Sequence, residues 1–345
     1  MKRFFSLLPA ILLALVLSSL TACGKKEVLH IYCWEDYLSD DVIKKFEKEY
    51  NCKIQLDVFP SNEAMYAKLK GGAAGYDVVV PSSYMAKLMN EQNMLLKLDT
   101  EKLPNVKKYY DKKYNVLNLD PNHEYSVPYF ISFTGIGYNS KKVKNFVPSW
   151  RMFERADLKG KMSLLDDQRE VIGCALRTLG YDVNTTDQKQ IDAAVELARK
   201  WKKNIAKFGV DDARLSLAQG EFDLIQTYSG DMLQYAVDNP DLKFVIPKEG
   251  TTATFDNLCI LNSSSQKELA YKFIDFLYRV DIAAENMDFV YYRMAHTEAI
   301  KHVGKEIRNH EVFNVDASTF NRCTPLRDLG KDQKKYNDAW DAIKK

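Results

Sequence analysis

Glycine and proline are scarce in this chain, 15 and 10 in 345 residues, and neither gathers into a linker. Internal repeats and low-complexity segments are missing as well. Any division into lobes must therefore be bridged by structured chain that crosses more than once, which makes a hinge and not a tether. The six cysteines contain no CxxC pair, which argues against a zinc knuckle or a dithiol redox couple. Basic and acidic residues, 49 and 47, nearly cancel without a basic stripe, so nucleic acid is excluded as a partner. Phosphate loops of the GxGxxG or GxxxxGKS kind, a GxSxG nucleophile elbow and an HExxH helix are all missing. His30, His123, His296, His302 and His310 fall in no ligand spacing, and Ser82 and Ser83 lack an evident base. These absences disfavour an enzyme, assign no catalytic residue, metal or cofactor, and leave open only a hydrolase built from carboxylates.

What is present begins with an export signal. Met1 to Ala22 has a basic start at Lys2 and Arg3, an apolar run from Phe4 to Leu17 and small residues ahead of Cys23. Leu20-Thr21-Ala22-Cys23 resembles the bacterial lipobox, which implies cleavage and lipidation of Cys23, with residues 23–28 as a tether. The run is broken by Pro9 and is short for a membrane span, and no second run of that length follows. The mature body is therefore expected to be lipid-anchored and nearly neutral. At roughly 320 residues it exceeds what one core usually holds, so two lobes are expected. Five cysteines remain, Cys33, Cys52, Cys174, Cys259 and Cys323. One pair is open to disulfide formation outside the cytosol, though no pair is singled out, and most read as buried apolar side chains.

The stretch Leu29 to Val42 sets the frame. Leu29, Ile31 and Cys33 alternate with His30, Tyr32 and Trp34 as in a strand, and the period turns helical after Ser39, an N-cap candidate. Trp34, Glu35, Asp36 and Tyr37 thus occupy a strand-to-helix loop, the edge of an α/β sheet where ligands bind. Lys53–Phe59 and Tyr76–Val80 read as further strands, with helices from Ser61 to Leu69 and from about Met85. The aromatic, β-branched segment 125–138 has no helical period and suits a crossover between lobes. Strands at 162–165 and 222–228, with helices at 171–179, 191–203 and 213–218, make a second α/β set. Strands at 244–247 and 251–261 and helices at 269–279 and 336–343 complete the chain.

Aromatic residues recur beside carboxylates or hydroxyls where these strands end: Trp34 to Tyr37, Ser82 to Tyr84, Asp166 to Glu170, Thr227 to Ser229 and Phe255 to Asn257. Each clump alone fits an ordinary solvated loop. Facing lobes would bring them to one cleft, where crowded carboxylates repel unless a cation lies between them. A flexible aliphatic polyamine has the matching shape, its ammonium groups taken by carboxylates and its methylenes covered by rings.

These residues also carry a resemblance. Tyr32 to Tyr37 (YCWEDY), Ser61 to Leu69 (SNEAMYAKL), Asp77 to Tyr84 (DVVVPSSY), Asp166 to Glu170 (DDQRE), Gly220-Glu221, Pro247 to Gly250 and the segment around Asp256 resemble the spermidine/putrescine-binding (PotD-type) components of ABC importers. The resemblance spans nearly the whole mature chain. It implies an α/β fold of the type II periplasmic-binding kind: two lobes with mostly parallel sheets, a two-crossing hinge and the ligand between them. The implied lobes are residues 29–131 with 255–301, and 132–254 with 302–345. It further implies that Trp34 and Tyr37 cover the ligand chain, that Asp36 holds an amine, and that Ser82 and Tyr84 line the same lobe. Asp167 and Glu170 would grip an ammonium, Asp256 would take another, and Tyr228 and Tyr292 would add rings. Asp36, Tyr228 and Thr254 stand where the family tends to have Glu, Trp and Trp, which leaves chain-length preference open. The implied partners are a polyamine, an inner-membrane ABC permease and the membrane through the lipid, with the chain itself monomeric and periplasmic. Two other readings remain: a ferric-ion receptor using Tyr109-Tyr110 and Tyr291-Tyr292, and a surface lipoprotein that adheres to partners without transport.

Overall fold

One strand, β4 (Val127–Asn139), ties the molecule together. It carries no charged side chain, so water has no claim on either face, and every residue from Val127 to Gly137 is buried. A computed structural model describes residues 26–310, 313–315 and 317–345; the leader and Cys23 lie outside the described residues. The remaining strands are β1 (Val28–Cys33), β2 (Lys53–Val58), β3 (Val78–Val79), β5 (Met162–Leu164), β6 (Lys207–Phe208) and β7 (Leu224–Tyr228). Four more follow: β8 (Leu242–Val245), β9 (Thr251–Ile260), β10 (Arg293–Met294) and β11 (Cys323–Thr324).

The principal strand order is β2-β1-β3-β9-β4-β7-β5-β6. The first half of β4 pairs with β9, Ile131 opposite Phe255, and the second half pairs with β7, Thr134 opposite Tyr228. At about 3.3 Å per residue such a strand reaches roughly 40 Å, enough to belong to two sheet halves at once. A register shift between Pro128 and Phe130 follows from the proline, which has no N–H to give the ladder. Gly135 lies where β8 crosses closest: a Cβ there would stand 2.4 Å from the Phe244 ring. Parallel pairing holds for β1 with β2 and β3 and for β5 with β6 and β7. The long strands β4 and β9 run antiparallel to their neighbours along the main path, a feature the expectation of mostly parallel sheets did not include.

Both faces of the sheet are covered except at the edge strand β2, where Leu56 and Val58 are exposed. In β1, Leu29, Ile31, Tyr32 and Cys33 are all buried, so the period of two in the sequence marks two different cores and not a wet face. Ile31 and Phe46 join a core with Phe273 and Phe276, while Tyr32 packs with Phe59 and Met65 on the other side. The distal half closes around Trp150, Phe153 and Trp201. Ser39 caps the helix Asp40–Tyr50 by accepting from the Val42 N–H at 3.1 Å, and Ser61 caps Asn62–Lys70 through the Ala64 N–H at 3.1 Å. These caps fix the direction of the chain immediately beside the strand ends. Cys33, Cys52, Cys174, Cys259 and Cys323 are all free thiols, so none of the pairs left open to disulfide formation is joined. Among the described residues no helix is long and apolar enough to cross a membrane.

Candidate functional site

The strand ends meet at a cavity of about 280 Å³. Trp34, Asp36, Tyr37, Ser82, Tyr84, Asp167, Glu170, Tyr228, Asp256 and Tyr292, expected from the sequence, all line it. Thr254 lines it too, at the place where the resemblance implies a larger ring.

Asp256 sits in β9 with 4% of its surface exposed. Its two oxygens accept from Tyr37 Oη at 2.6 Å and Ser82 Oγ at 2.7 Å. Ser82 is held in turn by Asn62, which donates to its Oγ at 3.2 Å and accepts from its backbone N–H at 3.0 Å. The buried indole N–H of Trp34 has no hydrogen-bond partner of its own and lies close enough to favour the Asp256 charge. Burial nonetheless outweighs these neutral donors and pushes the Asp256 carboxyl up to about 6.

A second acidic station lies at the start of the helix Gln168–Thr178. Asp167 is its N-cap, accepting from the backbone N–H groups of Arg169 at 2.8 Å and Glu170 at 3.2 Å, and from Tyr228 Oη at 3.2 Å. Glu170, buried one turn in, accepts from Thr252 Oγ1 at 2.5 Å. Burial first, then the Asp167 charge, raises Glu170 to about 7; burial likewise raises Asp167. Tyr84 Oη donates to Glu63 at 3.1 Å, and Glu63 is raised by burial and then by Asp167. The nearby Arg169 makes no ion pair with this station, although its charge pulls Asp167, Glu170 and Glu63 down against the larger effect of burial: its guanidinium donates to the Arg327 carbonyl at 3.1 Å and to Asn184 at 3.0 Å. It lies between the rings of Tyr84 and Tyr336, at 5.5 and 5.0 Å.

Sequence reasoning missed the third cluster. Asp231, on the helix Ser229–Ala236, accepts from Tyr292 Oη at 2.6 Å and pairs with Arg214 at 3.1 Å. Asp231 lies three residues past Tyr228, so the strand-end pattern, followed one helical turn further, contains it. Arg214, from the helix Asp211–Ala218, carried no such signal. Glu63 lay within the SNEAMYAKL motif without being read as a site residue.

Rings complete the walls: Tyr37 is 5.8 Å from Tyr292 and 6.5 Å from Trp34, and Trp34 stands edge-on to Phe59 at 4.5 Å. Asp36 is placed differently from a buried clamp. It is exposed at the mouth, with φ at 56°, a left-handed turn that aspartate tolerates better than most residues. The tyrosine pairs of the ferric reading are split. Tyr109 stacks on His296 at 5.0 Å and Tyr110 Oη donates to Asn115, whereas Tyr292 reaches the cavity. Among the described residues no group of three or more His, Cys, Asp and Glu is arranged to hold a metal ion.

Two sheet halves joined by long crossing strands, with a ring-walled acidic cavity at the junction, define a two-lobed ligand-binding protein of the periplasmic-binding kind. The chain matches the family described as bacterial extracellular solute-binding protein over residues 41–307 and belongs to it. It is 35% identical over 342 residues to the spermidine/putrescine-binding periplasmic protein of Salmonella typhimurium, covering 98% of this chain and 97% of that one. It is 34% identical to the putrescine-binding periplasmic protein SpuD of Pseudomonas aeruginosa, covering 100% and 99%. Among solved structures, the TpPotD lipoprotein of Treponema pallidum is similar with a TM-score of 0.85 at 34% identity, covering 92% of this chain and 99% of that chain.

Proposed function

We propose that this chain is an extracytoplasmic receptor that captures a polyamine, spermidine or putrescine or both, and delivers it to an ABC permease in the inner membrane. The observation that carries the reading is unmatched acidity. Asp256, Asp167 and Glu170 line one cavity, and among the described residues none has a lysine or arginine within ion-pair distance. Their partners are hydroxyls and backbone N–H groups, which solvate a carboxylate without cancelling its charge. A ligand with separated ammonium groups and an apolar middle cancels both stations while Trp34, Tyr37, Tyr228 and Tyr292 cover its methylenes. Neutral or anionic solutes leave the desolvated carboxylates uncompensated. The names of the relatives support the same ligand class.

In this reading residues 29–131 with 255–301 form one lobe and 132–254 with 302–345 the other, and the ligand favours the closed arrangement because it touches both. The chain works as a periplasmic monomer without catalysis, held to the membrane through lipid on Cys23. Isothermal titration of the soluble body against spermidine, putrescine and cadaverine tests the proposal. Saturable heat with one ligand per chain is expected. The absence of heat and of any thermal shift with all three would refute capture and leave adhesion as the better account.

A further inference from the structure

The cavity holds one fixed cation of its own. Among the described residues that line it, Arg214 is the single lysine or arginine, and its side chain is only 11% exposed. It pairs with Asp231 at 3.1 Å and also with Asp211, both of which line the cavity, and its buried Nε has no partner. Asp231 is additionally bound by the Tyr292 hydroxyl at 2.6 Å. Asp166, another lining carboxylate, is tied to Lys344 at 2.6 Å. Once these pairs are counted, the interior offers two places for a guest ammonium, Asp256 and the Asp167/Glu170 station. The third acidic place, Asp231 with the more exposed Asp211, already pairs with a cation of the protein's own.

We infer that Arg214 sets the charge capacity of the cleft at two and makes the site select linear diamines over triamines. The inference rests on the polyamine reading and refines it. A diamine places one ammonium at each open station. A triamine must bring its third ammonium to the exposed mouth at Asp36, or toward Asp231, where the guanidinium meets it in a desolvated pocket and like charges repel strongly. Removing the guanidinium frees Asp231 and Asp211 to serve as a third acceptor. Replacing it with another cation does not.

The test is calorimetric titration of the wild type, Arg214→Gln, Arg214→Lys and the double variant Arg214→Gln/Asp231→Asn with putrescine and spermidine, each checked by thermal melting. The wild type is expected to bind putrescine about tenfold or more tightly than spermidine. Arg214→Gln should shift that ratio toward spermidine by about tenfold or more, Arg214→Lys should keep the diamine preference, and the double variant should lose the gain. A wild type that binds spermidine as tightly as putrescine overturns the inference and leaves polyamine capture standing. An unchanged ratio in a folded Arg214→Gln overturns it too, and a failure of both ligands to bind the wild type removes the reading beneath it.

Discussion

Replacing Asp256 by asparagine separates what a buried carboxylate does for the ligand from what it does to the fold. Burial above all raises its carboxyl to about 6, against an ordinary value of 3.8. At ~1.36 kcal/mol per pH unit, keeping that group ionised in the empty site costs about 3 kcal/mol. Because the folded value lies above the unfolded one, this cost is absent below about pH 3.8, grows as pH rises, and is complete above about pH 6. Asparagine is nearly isosteric and has no charge to desolvate. Its carbonyl can accept from only one side, so either Tyr37 or Ser82 must turn its hydroxyl and lose a good acceptor, at about 1 kcal/mol. The empty variant should therefore be about 2 kcal/mol more stable than wild type at pH 8, several degrees in melting temperature, with the difference shrinking between pH 6 and pH 4. Its affinity for putrescine should fall by about 2 to 4 kcal/mol, since a desolvated charge contact is removed. Differential scanning calorimetry across pH and isothermal titration measure the two effects on one preparation. A variant that melts below wild type at pH 8 and binds putrescine undiminished would refute the reasoning on both counts.

Asp167→Asn should lower polyamine affinity by about 2 to 4 kcal/mol with little loss of stability, because asparagine caps a helix as well as aspartate and keeps the Arg169 and Glu170 N–H groups satisfied; a large fall in melting temperature would contradict this. Affinity should weaken on acidification from pH 8 to pH 5.5, since Glu170, at about 7, and Asp256, at about 6, take up protons that the bound cation must expel, and titrations at several pH values in two buffers would show that proton release. Gly230→Ala drives a Cβ to 2.4 Å from the Tyr292 ring and should displace that ring from Asp231, weakening binding by at least about tenfold in a titration while the chain stays folded by circular dichroism. A soluble form starting after Cys23 should show five alkylatable thiols in denaturant and a melting temperature indifferent to reductant.

What the sequence made legible was local. Ser39 announces a helix start because an N-cap acts within three residues, and it caps as read; Ser61, at the expected start of the next helix, caps in the same way. The acidic and aromatic clumps were legible because strand ends converge in an α/β sheet whatever the details of packing. Less was visible where geometry is set by distant chain. The antiparallel run of β4 against β9 joins residues more than a hundred positions apart, and nothing in 127–139 states its partner. The helix Val280–Val290 was not anticipated: Ile282, Ala283, Met287 and Val290 are buried, but it follows Lys267–Leu277 after a break at Tyr278-Arg279 that carries no glycine or proline. Asp167 was legible as a carboxylate and not as a cap. The Arg214 to Asp231 pair was invisible because an ion pair between two helices has no periodic signature.

The cost of the unpaired carboxylates explains why such a site is selective. A cavity whose carboxylates were all paired with cations of its own, as Asp231 is paired with Arg214, would gain less from a guest cation. Asp256 and Glu170 are instead solvated by hydroxyl donors good enough to hold their oxygens in place and too weak to restore their ordinary acidity. The free energy missing from the empty site becomes available only to a ligand that brings positive charge to both stations together. A single ammonium relieves one station and leaves the other raised. Spacing and charge are thus read by the same groups, and the rings between them add cover for any aliphatic chain without judging its length.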